Sequence, residues 1–207
     1  MTMAAETLSS KGRQTREAIE QAARKLFAER GFHGTTVADI TSAAGKSPAV
    51  FYRYFDDKED LLGALAESFL HDVVAPSGLT VRLPDAPDDA AFFSAVVTGY
   101  WNMSKQNIGI MIAVAQLAAT AQRFAQLQNE FRRFGMNIVA ASVRRAQQQG
   151  YGRELQPDHV AAAVALLFEN FTAVFLRPGT SGLGLAVTDE DAIATLSSIW
   201  KKTLYGF

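Results

Sequence analysis

Two short helix patterns separated by a single glycine lie in the segment TTVADITSAAGKSPAVFYRYFDDKED. Thr36 is followed three residues later by Asp39, and this Thr-x-x-Asp spacing forms the capping box that opens a helix. Gly45 is the residue expected to end that helix. Ser47 then stands at the N-cap of a second helix, and Pro48 occupies its first position, where a missing N–H costs nothing. The segment therefore predicts two capped helices joined by a tight turn.

The second helix has an inner and an outer side. Phe51 and Phe55 are four residues apart, so they point the same way, toward the first helix. The opposite side carries Lys46, Tyr52 and Arg53. A short helix with a basic and aromatic outer surface is typical of the helix-turn-helix, whose second helix enters the major groove of DNA. The alternative interpretation is an ordinary helical hairpin inside a helical protein, which binds nothing.

Four sequence elements in this region occur together in a known family. TT-x-x-x-I, AG-x-S, FY-x-YF and K-x-x-L follow one another in order within residues 13–69. The region resembles the DNA-binding domain of the TetR family of bacterial transcriptional repressors. The resemblance implies an all-α protein with a three-helix helix-turn-helix DNA-binding domain over residues 11–57. It also implies a helical ligand-binding and dimerisation domain over residues 58–207, of which residues 58–75 form the linking helix.

Matching the family motif to this sequence implies which side chains contact DNA. Phosphate contacts are expected from Thr36, Tyr52 and Lys58, base-edge contacts from Pro48, Ala49, Val50 and Arg53, and contacts at the turn from Lys46 and Ser47. An arginine at position 53 can read guanine through its O6 and N7 atoms. Relatives often carry Lys-Gly where this chain has Pro48-Ala49, so one usual phosphate lysine is absent. Relatives also often have an apolar residue at the position of Lys46.

The charge distribution favours a nucleic-acid partner for the N-terminal region. The whole chain has a formal net charge of −1, but residues 11–58 contain nine Lys/Arg against six Asp/Glu, which gives this region +3. Clustered positive charge is the footprint of phosphate contact. The chain has no cysteine, which excludes disulfides, thiolate zinc sites and a cysteine nucleophile. A reducing cytoplasm is the expected location.

Beyond residue 57 the pattern stays helical, with no alternation of period two. The apolar spacing predicts helices at 57–74, 88–103, 107–119, 122–149, 157–176 and 189–204. Together with the three helices before them, these give about nine.

The helix predicted at 157–176 is apolar on almost every side and must be covered on several of them. The helix at 189–204 can cover only part of it. We therefore expect a homodimer in which both helices of each subunit form a four-helix bundle, with Phe171 and Trp200 at the pairing surface. A monomer that buries helix 157–176 at its centre is the alternative. The longest unbroken apolar run, nine residues from Val160 to Phe168, is too short to span a bilayer, so no membrane partner is expected.

The resemblance implies a pocket for a small-molecule effector in the second domain. The candidate lining residues are Trp101, Met111, Gln116, Phe131 and Phe168. Met and aromatic residues at helical spacing are equally typical of a plain core. Because few charged residues fall in these stretches, an apolar or amphipathic effector is favoured over a highly charged one.

Three function hypotheses follow. The first is an effector-responsive repressor that binds a palindromic double-stranded operator as a homodimer. The second is a regulator of the same kind without an effector, and the third is a helical scaffold or enzyme that only resembles the family. The enzyme hypothesis has little support, since the three histidines are isolated and no nucleophile elbow, paired-carboxylate motif or nucleotide fingerprint is present. No catalytic residue, metal site or cofactor is expected.

Overall fold

A computed structural model describes residues 9–74, 83–87, 89–177 and 183–206 of the 207-residue chain. Every regular element in these ranges is a helix, which confirms the all-α prediction. In chain order the helices are α1 (Ser10–Arg30), α2 (Val37–Ala43), α3 (Pro48–Phe51), α4 (Lys58–Val74), α5 (Ala90–Ala118), α6 (Gln122–Gln148), α7 (Pro157–Phe175) and α8 (Asp189–Tyr205).

The described residues form eight helices, because the helices predicted at 88–103 and 107–119 are a single helix, α5. The residues that suggested a break, Ser104, Lys105 and Gln106, are polar, but none of them is a helix breaker. Ser104 is also fully buried. A continuous helix pairs the backbone N–H and C=O groups that a break would leave without partners.

The chain divides into two compact units. The first contains the chain up to Asp72 together with Asn107–Gln128, and the second contains Val73–Gln106 and Asn129–Phe207. This division does not coincide with the predicted boundary after residue 57. The first unit takes in most of α4, the end of α5 and the start of α6, since these segments make side-chain contacts with one another or with α1.

The first unit has an apolar core that begins with one face of α1. Its buried apolar side chains are Ile19, Ala23, Leu26, Phe27, Phe32, Ile40, Phe51, Phe55, Leu61, Leu62 and Leu65. The caps place the helices around this core: the Gly12 N–H donates to the Ser9 hydroxyl at the start of α1. The Asp60 N–H donates to the Asp57 carboxylate at the start of α4. Ile19, Ala23, Leu26 and Phe27 recur at i, i+4, i+7 and i+8, which is the spacing of one helix face.

The second unit packs around two tryptophans that are each 1% exposed, Trp101 and Trp200. Trp200 meets Phe93 edge-to-face with ring centroids 5.2 Å apart. Its indole N–H donates to the Ser142 hydroxyl over 3.2 Å. The Trp101 indole N–H donates to the carboxylate of Asp189, the first residue of α8, over 3.0 Å. Each buried indole therefore has the hydrogen-bond partner that it needs.

Gly109 of α5 lies directly against the backbone of α1. A Cβ at this position would be 2.5 Å from the Ala28 nitrogen and 2.7 Å from the Phe27 carbonyl carbon, which is inside contact distance. We expect Gly109→Ala to lower the free energy of unfolding by about 1–3 kcal/mol, because neither backbone can yield. Gly99→Ala on the same helix is the matched control. Nothing lies within 4 Å of a Cβ there, so alanine should raise the free energy of unfolding by about 0.5–1 kcal/mol. Urea denaturation measures both effects, and a stabilising Gly109→Ala would contradict the close packing.

Candidate nucleic-acid interface

The first helix of the helix-turn-helix, α2, begins with a complete capping box. The Asp39 N–H donates to the Thr36 hydroxyl over 3.1 Å, and the Thr36 N–H donates back to the Asp39 carboxylate over 2.9 Å. The Thr36 hydroxyl hydrogen is also donated to this carboxylate, over 2.6 Å. These bonds from Thr36 lower the pKa of Asp39, and keep it ionised. The capping box predicted from the spacing is confirmed.

This bonding bears on the phosphate contact expected from Thr36. A phosphate oxygen needs a donor, and the hydroxyl hydrogen of Thr36 is already donated to Asp39. The role that the structure gives to Thr36 is therefore to start α2. Its neighbour Thr35, which the spacing does not single out, is fully buried and donates to the Gly31 carbonyl over 2.8 Å. The two threonines thus stabilise the connection between α1 and α2.

The turn between α2 and α3 is closed by backbone hydrogen bonds. Gly45 has φ of 63°, in the left-handed region where glycine is favoured. The Lys46 N–H donates to the Thr41 carbonyl over 2.8 Å, and the Gly45 N–H donates to the Ser42 carbonyl over 3.1 Å. This pairing of the last carbonyls of α2 sets the direction in which the chain enters α3.

Helix α3 is shorter than the seven residues that the pattern predicts. Only Pro48–Phe51 is α-helical, and the chain continues as helical turns in which Tyr54 and Phe55 N–H groups both donate to the Phe51 carbonyl. Ser47 is the N-cap residue, as predicted, but its side chain makes no capping hydrogen bond. Its exposed hydroxyl can therefore serve as a donor to another molecule.

Two aromatic side chains anchor α3 from the inside. Phe51 is fully buried and Phe55 is 1% exposed, with their ring centroids 5.6 Å apart. Tyr52, between them in sequence, is 58% exposed. The residues that the structure leaves exposed together around α3 are Lys46, Ser47, Pro48, Ala49, Tyr52 and Arg53, whereas Val50 is half-buried. Seven of the residues expected at DNA are thus gathered around one short helix held by a rigid core.

Lys58 is expected to contact a phosphate, but in the structure its ammonium group donates two hydrogen bonds within the protein. Its Nζ donates to the carbonyls of Phe32 and Thr35 over 2.7 Å each, and lies 4.2 Å from the centre of the Phe32 ring. Burial lowers the pKa of Lys58, an effect that the neighbouring Glu59 opposes. An ammonium has three hydrogens, so one is left for a phosphate. Lys58 therefore ties the start of α4 to the turn before α2.

We expect Lys58→Met to lower the free energy of unfolding by about 1–3 kcal/mol, because it leaves two carbonyls of buried residues without their donor. Affinity for all DNA sequences should fall as well. Lys46→Met is the matched control, since Lys46 is exposed. That variant should keep its stability and lower the salt dependence of DNA binding by about one phosphate contact. If Lys58→Met leaves the free energy of unfolding unchanged and the affinity for DNA still falls, the main role of Lys58 is the phosphate contact.

Arg123 of α6 is a further residue that sequence spacing does not reveal. Its guanidinium donates to the carboxylates of Asp60 and Glu67 on α4, over 3.4 Å and 2.9 Å. Any side chain at Gly63, between these two acids, would overlap the guanidinium. The one local sign of this contact is a glycine in the middle of a helix, where glycine is unfavourable. Arg123 thereby holds α4, which begins beside the helix-turn-helix, in one position within the first unit.

The five residues expected at an effector are divided between the two units. Trp101 and Phe168 belong to the buried core of the second unit, and Phe131 is half-buried in the same unit. Met111 is half-buried and Gln116 exposed in the first unit. Within the part of the chain that the structure describes, no three His, Asp or Glu side chains are grouped so that they could hold a metal ion.

Comparison with known proteins agrees with this geometry. The sequence profile described as bacterial regulatory proteins, tetR family, matches residues 19–65, which run from α1 into α4. The HTH-type transcriptional repressor KstR2 of Rhodococcus jostii (strain RHA1) is 33% identical over 151 residues, 67% of this chain and 69% of that protein. The HTH-type transcriptional regulator UidR of Escherichia coli (strain K12) is 26% identical over 170 residues, 81% of this chain and 82% of that protein.

Among solved structures, the transcriptional regulator FadR from Bacillus subtilis, in complex with stearoyl-CoA, has the same fold. It superposes with a TM-score of 0.64 over 92% of this chain and 98% of that one, at 18% sequence identity. The curated relatives are regulators of transcription rather than enzymes. Because identity with a repressor extends over two thirds of both chains and the helix-turn-helix matches in sequence and geometry, the chain belongs to the tetR family of bacterial regulatory proteins.

Proposed function

We propose that this protein is a ligand-responsive transcriptional repressor of the cytoplasm, which binds a palindromic operator as a homodimer and is released by a small apolar or amphipathic effector. The observation that carries the proposal is the exposed surface of α3. Its basic, hydroxyl and aromatic side chains project from a helix anchored by Phe51 and Phe55. Such a surface fits the major groove, where a recognition helix reads base edges.

The side chains around α3 divide into two roles. Lys46, Ser47 and Tyr52 are exposed donors at the turn and on the outer side of α3, so we assign them to phosphates, which fix the register on the duplex. Pro48, Ala49 and Arg53 face the bases. Arg53 is the one of these three that can donate two hydrogen bonds to guanine, and sequence preference at its base pair depends on it. Lys58 contributes one remaining N–H.

Homodimerisation is supported by the uncovered apolar surface of α7 and α8. Leu166, Leu167 and Val174 of α7 are 42%, 40% and 37% exposed, and Ile199 of α8 is 38% exposed. The other side of α7 is packed in the core of the second unit through Ala161, Val164, Phe168 and Thr172. A second copy that presents the same surface covers both exposed sides with one isologous interface.

Helix α7 also passes a simple test for a membrane span. Of the described residues, its 19 residues form the one helix that is long and apolar enough to cross a bilayer, with a mean hydropathy of 1.3. One side of it is nevertheless buried within its own chain and a partly buried Glu169 on it is paired with Arg132. A protein partner covers such a helix better than lipid does, which is why we assign the exposed side to the dimer.

An apolar or amphipathic effector is supported by the aromatic interior of the second unit, which contains Tyr100, Trp101 and Phe168. A relative with the same fold, FadR of Bacillus subtilis, was solved with stearoyl-CoA, which is amphipathic. The effector releases DNA only by its differential affinity for the two conformations. A tenfold loss of operator affinity requires about 1.4 kcal/mol of such coupling, and operator DNA must weaken the effector by the same factor.

Fluorescence anisotropy with DNA segments that flank the protein's own gene tests the proposal. One palindromic segment should bind at least about 10³-fold more tightly than random DNA at the same salt concentration. Equal affinity for every segment, or no binding, would favour the scaffold or enzyme hypothesis. If an operator is found and no apolar or amphipathic compound weakens its binding, the effector-free regulator takes the place of the ligand-responsive one.

A further inference from the structure

The exposed side of α7 is apolar except at one amide. Between positions 163 and 174 its exposed residues are all uncharged: Ala163, Leu166, Leu167, Asn170 and Val174. Asn170 stands one turn after Leu166 and one turn before Val174, so apolar side chains flank it on the same face. An amide in the middle of an apolar surface is costly to bury unless it is hydrogen-bonded. A molecule that covers this face must therefore also satisfy the amide.

Asn170 lines an open cleft on this face of the second unit. The cleft has a volume of about 460 Å³, and its other lining residues are Leu166, Leu167, Phe171, Val174, Phe175 and Leu183. Leu183 precedes α8 and is 64% exposed. Among the residues described at this cleft, Asn170 is the one with a polar side chain. The cleft therefore fits a partner that brings apolar side chains and one polar group.

The exposed amide of Asn170 has hydrogen-bonding capacity for such a partner. Its Nδ2 donates to the Leu166 carbonyl, one turn earlier, over 2.9 Å. A carboxamide has two N–H donors and an oxygen that accepts, so this bond uses only one of the donors. The second N–H and the oxygen make the group complementary to itself, because two carboxamides can each donate to the other's oxygen.

A second copy of this chain brings the matching group to the right place. A symmetric dimer interface contains a two-fold axis, and a residue on that axis meets its own copy. If two α7 helices run in opposite directions and cross at Asn170, Leu166 of each lies opposite Val174 of the other. Apolar residues then meet apolar residues, and amide meets amide. A register moved by about one turn would place Asn170 opposite Leu167 or Val174, and neither of these has a polar side chain.

We propose that the two copies of α7 cross at Asn170 in the homodimer, where the two carboxamides donate to each other, and that this pair fixes the register of the interface. The inference rests on the proposed homodimer, in which α7 is a pairing helix. It goes further in naming the point at which the helices cross and the residue that selects the register. A single buried asparagine has this role in coiled coils, where it specifies one pairing at a cost in stability.

The first test is disulfide cross-linking of the full-length protein, which has no cysteine of its own. Asn170→Cys should give a covalent dimer on mild oxidation, since a disulfide requires Cα atoms about 4.4–6.8 Å apart. Val174→Cys is the matched control, because it is exposed on the same face. Its two copies would lie about 12 Å apart along the helix axes, at 1.5 Å per residue, and should cross-link at least about tenfold more slowly.

A double variant completes the cross-linking test. Leu166→Cys combined with Val174→Cys in one chain should cross-link rapidly, because these two positions face each other across the crossing. Failure of the double variant to cross-link would overturn the crossing at Asn170. So would a Val174→Cys protein that cross-links as fast as Asn170→Cys, or an Asn170→Cys protein that does not cross-link.

The second test replaces the amide by charges. Asn170→Asp and Asn170→Lys should each raise the dissociation constant of the homodimer by about 10²-fold, since two like charges would meet in an apolar interface. A mixture of the two variants should form a heterodimer whose dissociation constant is at least about tenfold lower than that of either homodimer. Sedimentation velocity measures all three dissociation constants.

The same two substitutions at Ala163 are the matched control for charge on this face. The two copies of Ala163 would lie about 21 Å apart along the helix axes. Mixing Ala163→Asp with Ala163→Lys should therefore give no heterodimer that is more stable than both homodimers. Asn170→Asp and Asn170→Lys homodimers as stable as wild type, or a mixture of them that gives no more stable heterodimer, would overturn the amide pair.

The same proteins separate this inference from the proposed function. Wild-type protein that sediments as a dimer, while Asn170→Cys does not cross-link, overturns the crossing and leaves the homodimer. Wild-type protein that sediments as a monomer at micromolar concentration overturns both. Rapid cross-linking of Asn170→Cys, in a protein whose wild type binds no operator, supports the crossing and overturns the regulator.

Discussion

Leu167→Glu combined with Ile199→Glu should convert the protein into a monomer at micromolar concentration and weaken its binding to a full operator by about 10²–10⁴-fold. Both side chains are substantially exposed in the single chain, at 40% and 38%, so the variant chain can still fold. In the dimer proposed here, four carboxylates would be buried against apolar surface without partners, which costs far more than the interface can supply. Each monomer would then hold only one half-site.

Sedimentation velocity measures the first effect, and fluorescence anisotropy with full and half operators measures the second. Gln116→Glu combined with Gln126→Glu is the matched control, since it adds the same charge at exposed positions of the first unit. It should leave the dimer intact. A Leu167→Glu/Ile199→Glu protein that still sediments as a dimer would place the interface elsewhere.

Trp200 is not a suitable position for this experiment, contrary to the expectation that it lies at the pairing surface. It is 1% exposed, and its indole is enclosed by Phe92, Phe93 and Phe168 of its own chain. A charge at this position would unfold the second unit before it could disturb a dimer. In the middle of α8 the exposed residues are instead Ile199 and the small Ala194, Thr195 and Ser198, which allow a partner helix to approach closely.

Arg53→Ala should remove much of the preference for the operator over random DNA. A bidentate arginine–guanine pair contributes about 1–3 kcal/mol of discrimination, and a dimer contains two of them, so the expected loss is about 2–6 kcal/mol for the full operator. The affinity for random DNA should change by no more than the contribution of one phosphate contact. Anisotropy titrations on operator and scrambled DNA, at several salt concentrations, separate the two contributions.

Arg53→Lys is the matched control for charge. Lysine keeps the positive charge but lacks the planar pair of donors, so it should restore binding to random DNA without restoring preference for the operator. Equal losses on operator and scrambled DNA for Arg53→Ala would mean that Arg53 contacts a phosphate rather than a base. Restored preference in Arg53→Lys would argue against a bidentate contact.

The sequence alone determined those features that depend on neighbours within one or two helical turns. The capping box of Thr36 and Asp39, the glycine turn at Gly45 and the helix start at Pro48 are all local, and the structure confirms each of them. The inward direction of Phe51 and Phe55 follows from their spacing of four. Because the family motif consists of these same local elements, the family could also be recognised from the sequence.

Only the tertiary structure decided which partners distant residues meet. The Lys58 ammonium bonds to carbonyls 26 and 23 residues earlier, and Arg123 pairs with a carboxylate 56 residues away. No periodicity specifies such contacts, because they depend on how whole helices pack. For the same reason, the amphipathic pattern of α8 could not show that Trp200 is enclosed by its own chain while Ile199 is exposed.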